Sequence, residues 1–249
     1  MAIKIDLFEF PTKEEMAPLL KESPLYNYRI EEGLFYWTRE KLFGFDIIDH
    51  QVAAHDFTIS LNNRIFQLNL SYSYLLYYSN RGISDGEYPY LENLSGEEWT
   101  NKIHFENNVD ILFQKAFTAL DLLAHLLFAC LGLKTEGEIK GKTKKINKSF
   151  NSAMSQIKKV DRELFNRLNK IKVSSEFQKA SKVRNDIIHN RPPYEMRNEK
   201  VKSSGETQTV IVQYTPSKEI LNIAKELLEL MRQIFIIVED YLKEKQPCS

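Results

Sequence analysis

Cysteine is almost absent from the chain: Cys130 lies inside an apolar run and Cys248 one residue from the end. Two thiols so placed supply neither a disulfide framework nor a zinc-ligand spacing, so a reducing, cytoplasmic setting is the expectation. Glycine and proline are scarce too, 9 and 8 among 249 residues, and no Gly/Ser, Gln/Asn or collagen-like tract occurs. Repeat architectures and long flexible linkers are thereby excluded. The first ten residues carry Asp6 and Glu9 and lack a basic region and a small-residue cleavage site, so they do not read as a signal peptide. The most apolar stretch, 116–133, is interrupted by Asp121 and His125 and ends at Gly132, which suits a central core helix better than a membrane span. No phosphate-cradling glycine loop, Gly-x-Ser-x-Gly elbow or CxxC pair appears, which argues against a P-loop nucleotidase, an α/β-hydrolase and a redox enzyme.

What the chain does contain is 43% hydrophobic and 27% charged residues, enough for one substantial core or one core with an added layer. Its net charge of zero conceals an asymmetry. Residues 1–133 hold 10 Lys+Arg against 19 Asp+Glu, 134–172 hold 12 against 4, and 173–249 hold 12 against 11. The middle block, with Lys144, Lys145 and Lys148, can attract a polyanion by neutralising phosphates. A solvated helix face complementing the acidic N-terminal part accounts for it equally.

Hydrophobic spacing predicts an all-α fold, an up-and-down bundle with extra N-terminal helices. Thr12 with Glu15, and Ser95 with Glu98, are capping boxes that open helices. Residues 26–80 read as two helices or one bent at Gly44, and 82–94 as a loop. A helix from Trp99 stops at Gly132, a Lys-rich connector follows, and one helix spans 149–171. The next helix, 176–190, must end before Pro192-Pro193. A small β-hairpin around Ser203-Ser204-Gly205 precedes a closing helix launched by Thr215 as N-cap and Pro216. Four main helices from residue 95 onward form the predicted core domain, 95–249, and residues 1–94 a helical layer upon it.

Arg184-Asn185 followed by His189 places a phosphate-binding fork near a titratable imidazole, with Arg191 just beyond. Five helical residues separate Arg184 from His189 by about 7.5 Å and 140°. Arg184 must therefore reach along the helix, or across to a second subunit, to share a phosphate with His189. Asn185 lies one turn from His189 on the same face. The alternative is that Arg184 and Asp186 form surface pairs while His189 caps the helix end.

Asp46, Asp49, His50, His55 and Asp56 could ligate a metal, but no Glu-x-x-His exists, so no metal or other cofactor is predicted. His104 and His125 read as packing residues. Tyr72, Tyr74, Tyr77 and Tyr78 could stack bases or fill an interface.

At Arg184-Asn185-x3-His189 the chain resembles the HEPN superfamily (higher eukaryotes and prokaryotes nucleotide-binding), whose helical bundles often carry Arg-x4-6-His with Asn, Asp or His after the Arg. The resemblance covers roughly 95–245. It implies a metal-independent endoribonuclease acting through a 2′,3′-cyclic phosphate, commonly a homodimer, with Arg184, Asn185 and His189 catalytic. RNA would lie on Lys144, Lys145, Lys148 and Arg191. It further implies a role in defence or stress response and a possible antitoxin or regulatory protein partner. The other reading is a non-catalytic helical interaction or nucleotide-binding module.

Overall fold

In the computed structural model, residues 8–31, 45–83, 85, 94–139, 142–200 and 210–245 are described. Seven helices appear among them: α1 (Lys13–Lys21), α2 (Phe45–Asn80), α3 (Gly96–Cys130), α4 (Phe150–Val160), α5 (Arg162–Lys172), α6 (Ser175–His189) and α7 (Ser217–Lys245). Two antiparallel hairpins interrupt them, β1 (Glu136–Ile139) with β2 (Lys142–Lys145), and β3 (Arg197–Lys200) with β4 (Val210–Gln213). The protein is all-α in architecture.

The bundle is organised around α3. Leu112, Phe113, Ala116, Leu120, Leu123, Ala124 and Leu127 are buried at successive angles around it, so neighbours must cover it on several sides. Antiparallel α2 covers one side, as shown by Phe57 stacked on His125 (centroids 5.0 Å apart) and Lys115 Nζ donating to Gln67 Oε1 at 2.7 Å. Helices α4, α6 and α7 cover the others, and α7 also packs on α2 and α5. Helix α2 supplies Leu61, Ile65, Leu68 and Tyr72 to the same core.

Both predicted capping boxes form. Thr12 and Glu15 exchange side-chain-to-backbone bonds, as do Ser95 and Glu98. Helix α3 stops where glycine predicts: Gly132 has φ +58°, and Leu133 N returns to Phe128 O at 3.0 Å in a Schellman closure.

Two expectations need correction. The single helix over 149–171 is broken into α4 and α5 at Asp161 (φ −147°, ψ 102°), so five helices, not four, follow residue 95. The apolar spacing continues across the break because both helices bury the same side, and Asp161 becomes the N-cap of α5. The Lys-rich connector forms β1–β2, with Ile139 paired to Lys142. At α7 the first helical N–H, that of Ser217, is taken by Asp85 Oδ2 from across the fold at 2.6 Å, while Pro216 O accepts from Ile220 N. Thr215 is therefore not the cap. The later hairpin is present, with strands flanking 201–209, and that turn, like Gly44, lies outside the described residues.

Asp161 also accepts from Tyr241 Oη at 2.9 Å, tying the α4–α5 corner to α7. Burial would raise its carboxyl pKa, but the Leu164 N–H, Tyr241, Lys245 and the Glu163 N–H outweigh it and hold it below the usual value. Asp161→Ala is expected to cost about 1 kcal/mol in urea denaturation at neutral pH. A carboxylate with a depressed folded pKa stabilises above its unfolded value of about 3.9, so the wild-type advantage should vanish as pH falls below that value.

Candidate functional site

Helix α6 owes its limits to local chemistry. Ser174 Oγ accepts from Phe177 N at 3.3 Å at the start, and Pro192-Pro193 forbids continuation past His189 at the end. Phe177, Ala180 and Val183 bury its inner face. Arg184 follows directly, so its guanidinium lies at the edge of that face, 5.8 Å from the centroid of the Phe117 ring of α3. Nη1 donates to Asn185 Oδ1 at 3.0 Å, whereas Nε is buried and has no hydrogen-bond partner among the described residues.

Arg184 and Asn185 both line a hollow of about 470 Å³ between α3, the start of α4, and α6. Its other walls include Phe117, Asp121, Phe150, Phe177 and Gln178. Asp121 Oδ1 accepts the first helical N–H of α4, from Phe150, at 2.9 Å, which fixes α4 against α3. The structure thus brings Arg184 and Asn185 together as a pair and adds Phe117 and Asp121. His189 is exposed and does not line the hollow; it stands one turn beyond Asn185, with no hydrogen bond or ion pair among the described residues. Asp186, on another face, accepts from Asn190 Nδ2 at 3.0 Å.

Lys144 and Lys145 are exposed on β2, and Lys148 is half-buried. The chain runs from these lysines into Asn147 and Ser149 on the rim of the hollow. Lys148 also acts on His125, whose pKa is lowered chiefly by burial and then by that cation, against the opposing pull of Asp121. Arg191 is exposed just past α6.

One other sequence reading resolves. Tyr72, Tyr77 and Tyr78 are buried, and Tyr78 stacks on His104 at 4.7 Å, so this stretch is core and not a base-stacking platform. No group of three or more potential metal ligands occurs among the described residues; the side chains of Asp46, Asp49 and His50 lie outside them.

Residues 57–243 match the family described as Cthe2314-like HEPN. The chain belongs to this HEPN family. The matched span begins within α2, so the family's bundle takes in most of that helix as well as α3 to α7. No curated protein and no solved structure matches the chain. HEPN domains generally bind RNA or nucleotides and often dimerise, which puts this protein among nucleotide-binding or RNase-type modules.

Sequence reasoning missed what holds the end of α6. Tyr194, five residues past His189, is buried and donates from Oη to Asp110 Oδ1 of α3 at 2.5 Å. Burial raises the Asp110 carboxyl pKa, Tyr194 lowers it and Glu195 raises it, leaving it above the usual value. Nearby, buried Lys102 pairs with Glu106 at 3.2 Å and donates to Tyr214 Oη at 3.0 Å. The segment leaving the motif is therefore bonded to α3 on both sides of the second hairpin. Tyr194→Phe should cost about 1–3 kcal/mol in thermal or urea unfolding, because it strips a donor from a half-buried carboxylate. Amide exchange over residues 190–196 should accelerate in the same variant; unchanged protection would show that this bond does not hold the segment.

Proposed function

We propose that this HEPN protein is a metal-independent endoribonuclease that cleaves RNA by attack of a 2′-hydroxyl on the adjacent phosphorus. The observation that carries the reading is the state of Arg184. Its guanidinium is held by Phe117 and Asn185 at the edge of a polar hollow, with a buried Nε that has no partner among the described residues, while an exposed imidazole stands one turn beyond Asn185. A guanidinium held in this way costs little reorganisation when charge develops on phosphoryl oxygens.

In the reaction, a base takes the 2′-hydroxyl proton as the O2′–P bond forms. The P–O5′ bond breaks, O5′ receives a proton, and the products are a 2′,3′-cyclic phosphate and a free 5′-hydroxyl. Arg184 stabilises the phosphorane oxygens and Asn185 orients it. His189 carries one proton transfer. A single imidazole serves one of the two transfers, so two copies of the motif facing one cleft, in a homodimer, complete the chemistry. The separation of His189 from the hollow within one chain favours this composite arrangement. That same separation also favours a second reading, a binding module in which His189 only terminates α6.

Purified protein incubated with mixed RNA and excess EDTA is expected to generate cyclic phosphate ends, and His189→Ala and Arg184→Ala each to slow this by about a hundredfold or more. Equal cleavage by wild type and both variants would leave only the binding module. Replacing Lys144, Lys145 and Lys148 by alanine should weaken RNA binding and flatten the salt dependence of log K by about 0.7 for each lysine that meets a phosphate of a single strand. An unchanged slope would reduce the block to a solvated surface.

A further inference from the structure

The hollow beside Arg184 is built for more than a phosphate. Its volume of about 470 Å³ falls within the roughly 300–1,000 Å³ of ligand pockets. Phe117, Phe150 and Phe177 line it from three different helices; Phe150 and Phe177 are buried, so Phe117, its ring 5.8 Å from that of Phe177, offers most of the aromatic surface. Arg184 and Lys172 line it as cationic residues and Asp121 as a carboxylate.

A bare anion suits this arrangement poorly, because Asp121 repels it. A ligand that is negative at one end and rich in N–H donors at the other satisfies both walls. Asp121 Oδ1 accepts from Phe150 N, while Oδ2 makes no hydrogen bond among the described residues. Gln178 spends its Nε2 on Lys172 O at 2.7 Å, which leaves its Oε1 as a second acceptor. An ionised carboxylate accepts only, whereas the Gln178 carboxamide keeps a second N–H besides its Oε1. At Asp121 the wall therefore asks for a donor.

Nucleobases with an exocyclic amino group present such donors on a planar, stackable ring. Uracil does not: its one N–H is flanked by two carbonyl oxygens that would face the carboxylate. We propose that the hollow between α3, α4 and α6 receives one unstacked, amino-bearing base of a single-stranded RNA, with Asp121 reading the amino group and Arg184 holding the adjoining phosphate. This deepens the ribonuclease reading and rests on it for the choice of RNA. A strand, not a free nucleotide, is the assigned ligand because Lys148 stands between the rim residues Asn147 and Ser149, and the exposed Lys144 and Lys145 precede them in the chain.

The test is direct binding to the full chain carrying His189→Ala, which keeps RNA intact. The probes are fluorescent uridine hexamers in which one central base is U, A, C or G, with 5′-mononucleotides as competitors. Hexamers with an amino-bearing base should bind about tenfold more tightly than all-uridine, the scale of one charge-assisted hydrogen bond. Asp121→Asn keeps an acceptor for Phe150 N but turns the other group into a donor, so the preference should reverse towards uracil. Gln178→Ala, at an exposed position, should weaken the preference and provides the reading if Asp121→Asn fails to fold.

Equal binding of all four hexamers, or a preference indifferent to both substitutions, overturns the base pocket. Mononucleotides that compete as well as hexamers overturn the assignment to a strand. The ribonuclease reading fails separately: base preference without any cleavage by wild type leaves the pocket standing, whereas cleavage without base preference removes the pocket alone.

Discussion

A helix that is apolar on nearly every side cannot persist in water unless other helices surround it, and α3 is such a helix. Its buried residues, from Phe105 to Cys130, face α2, α4, α6 and α7 in turn. Everything chemically interesting in the protein is attached to this one element. Phe117 carries the guanidinium of Arg184, Asp121 receives the first N–H of α4, and Asp110 anchors the chain that leaves α6. The core helix thus sets the relative positions of groups that are far apart in sequence.

Carboxylates position the starts of several helices. Asp85 reaches the start of α7, Asp121 the start of α4, and Asp161 both starts α5 and accepts from Tyr241 of α7. Each satisfies N–H groups that helical geometry leaves without a partner, at the end of the helix that favours negative charge. A local motif such as Thr12-x-x-Glu15 does the same job within one turn. The difference is that a remote carboxylate also fixes where the helix lies, so these contacts specify tertiary structure as well as secondary structure.

That difference explains what could be read from the sequence and what could not. The capping boxes, the Gly132 stop and the Pro192-Pro193 break depend on residues a few positions apart, and each appears where the pattern places it. The α4–α5 corner was invisible because Met154, Ile157, Leu164 and Leu168 keep nearly helical spacing through it; only Asp161, half-buried and bonded to a helix eighty positions away, reveals the turn. Arg184, Asn185 and His189 were legible as a motif because they share one short helix. The hollow was not, since its walls come from three elements.

Helix α7 contributes Ile220, Leu227, Met231, Ile234, Phe235 and Val238 to a core shared with α2, α3, α5 and α6. It leaves the ribosome after every helix it covers, and its contacts with α2 span well over a hundred residues. Until it arrives, the nascent chain shows water the apolar sides of four helices, and closure of the bundle waits on these long-range contacts. Assembly of the cleft lined by α6 is therefore a late event, coupled to synthesis of α7 and not to synthesis of the motif itself.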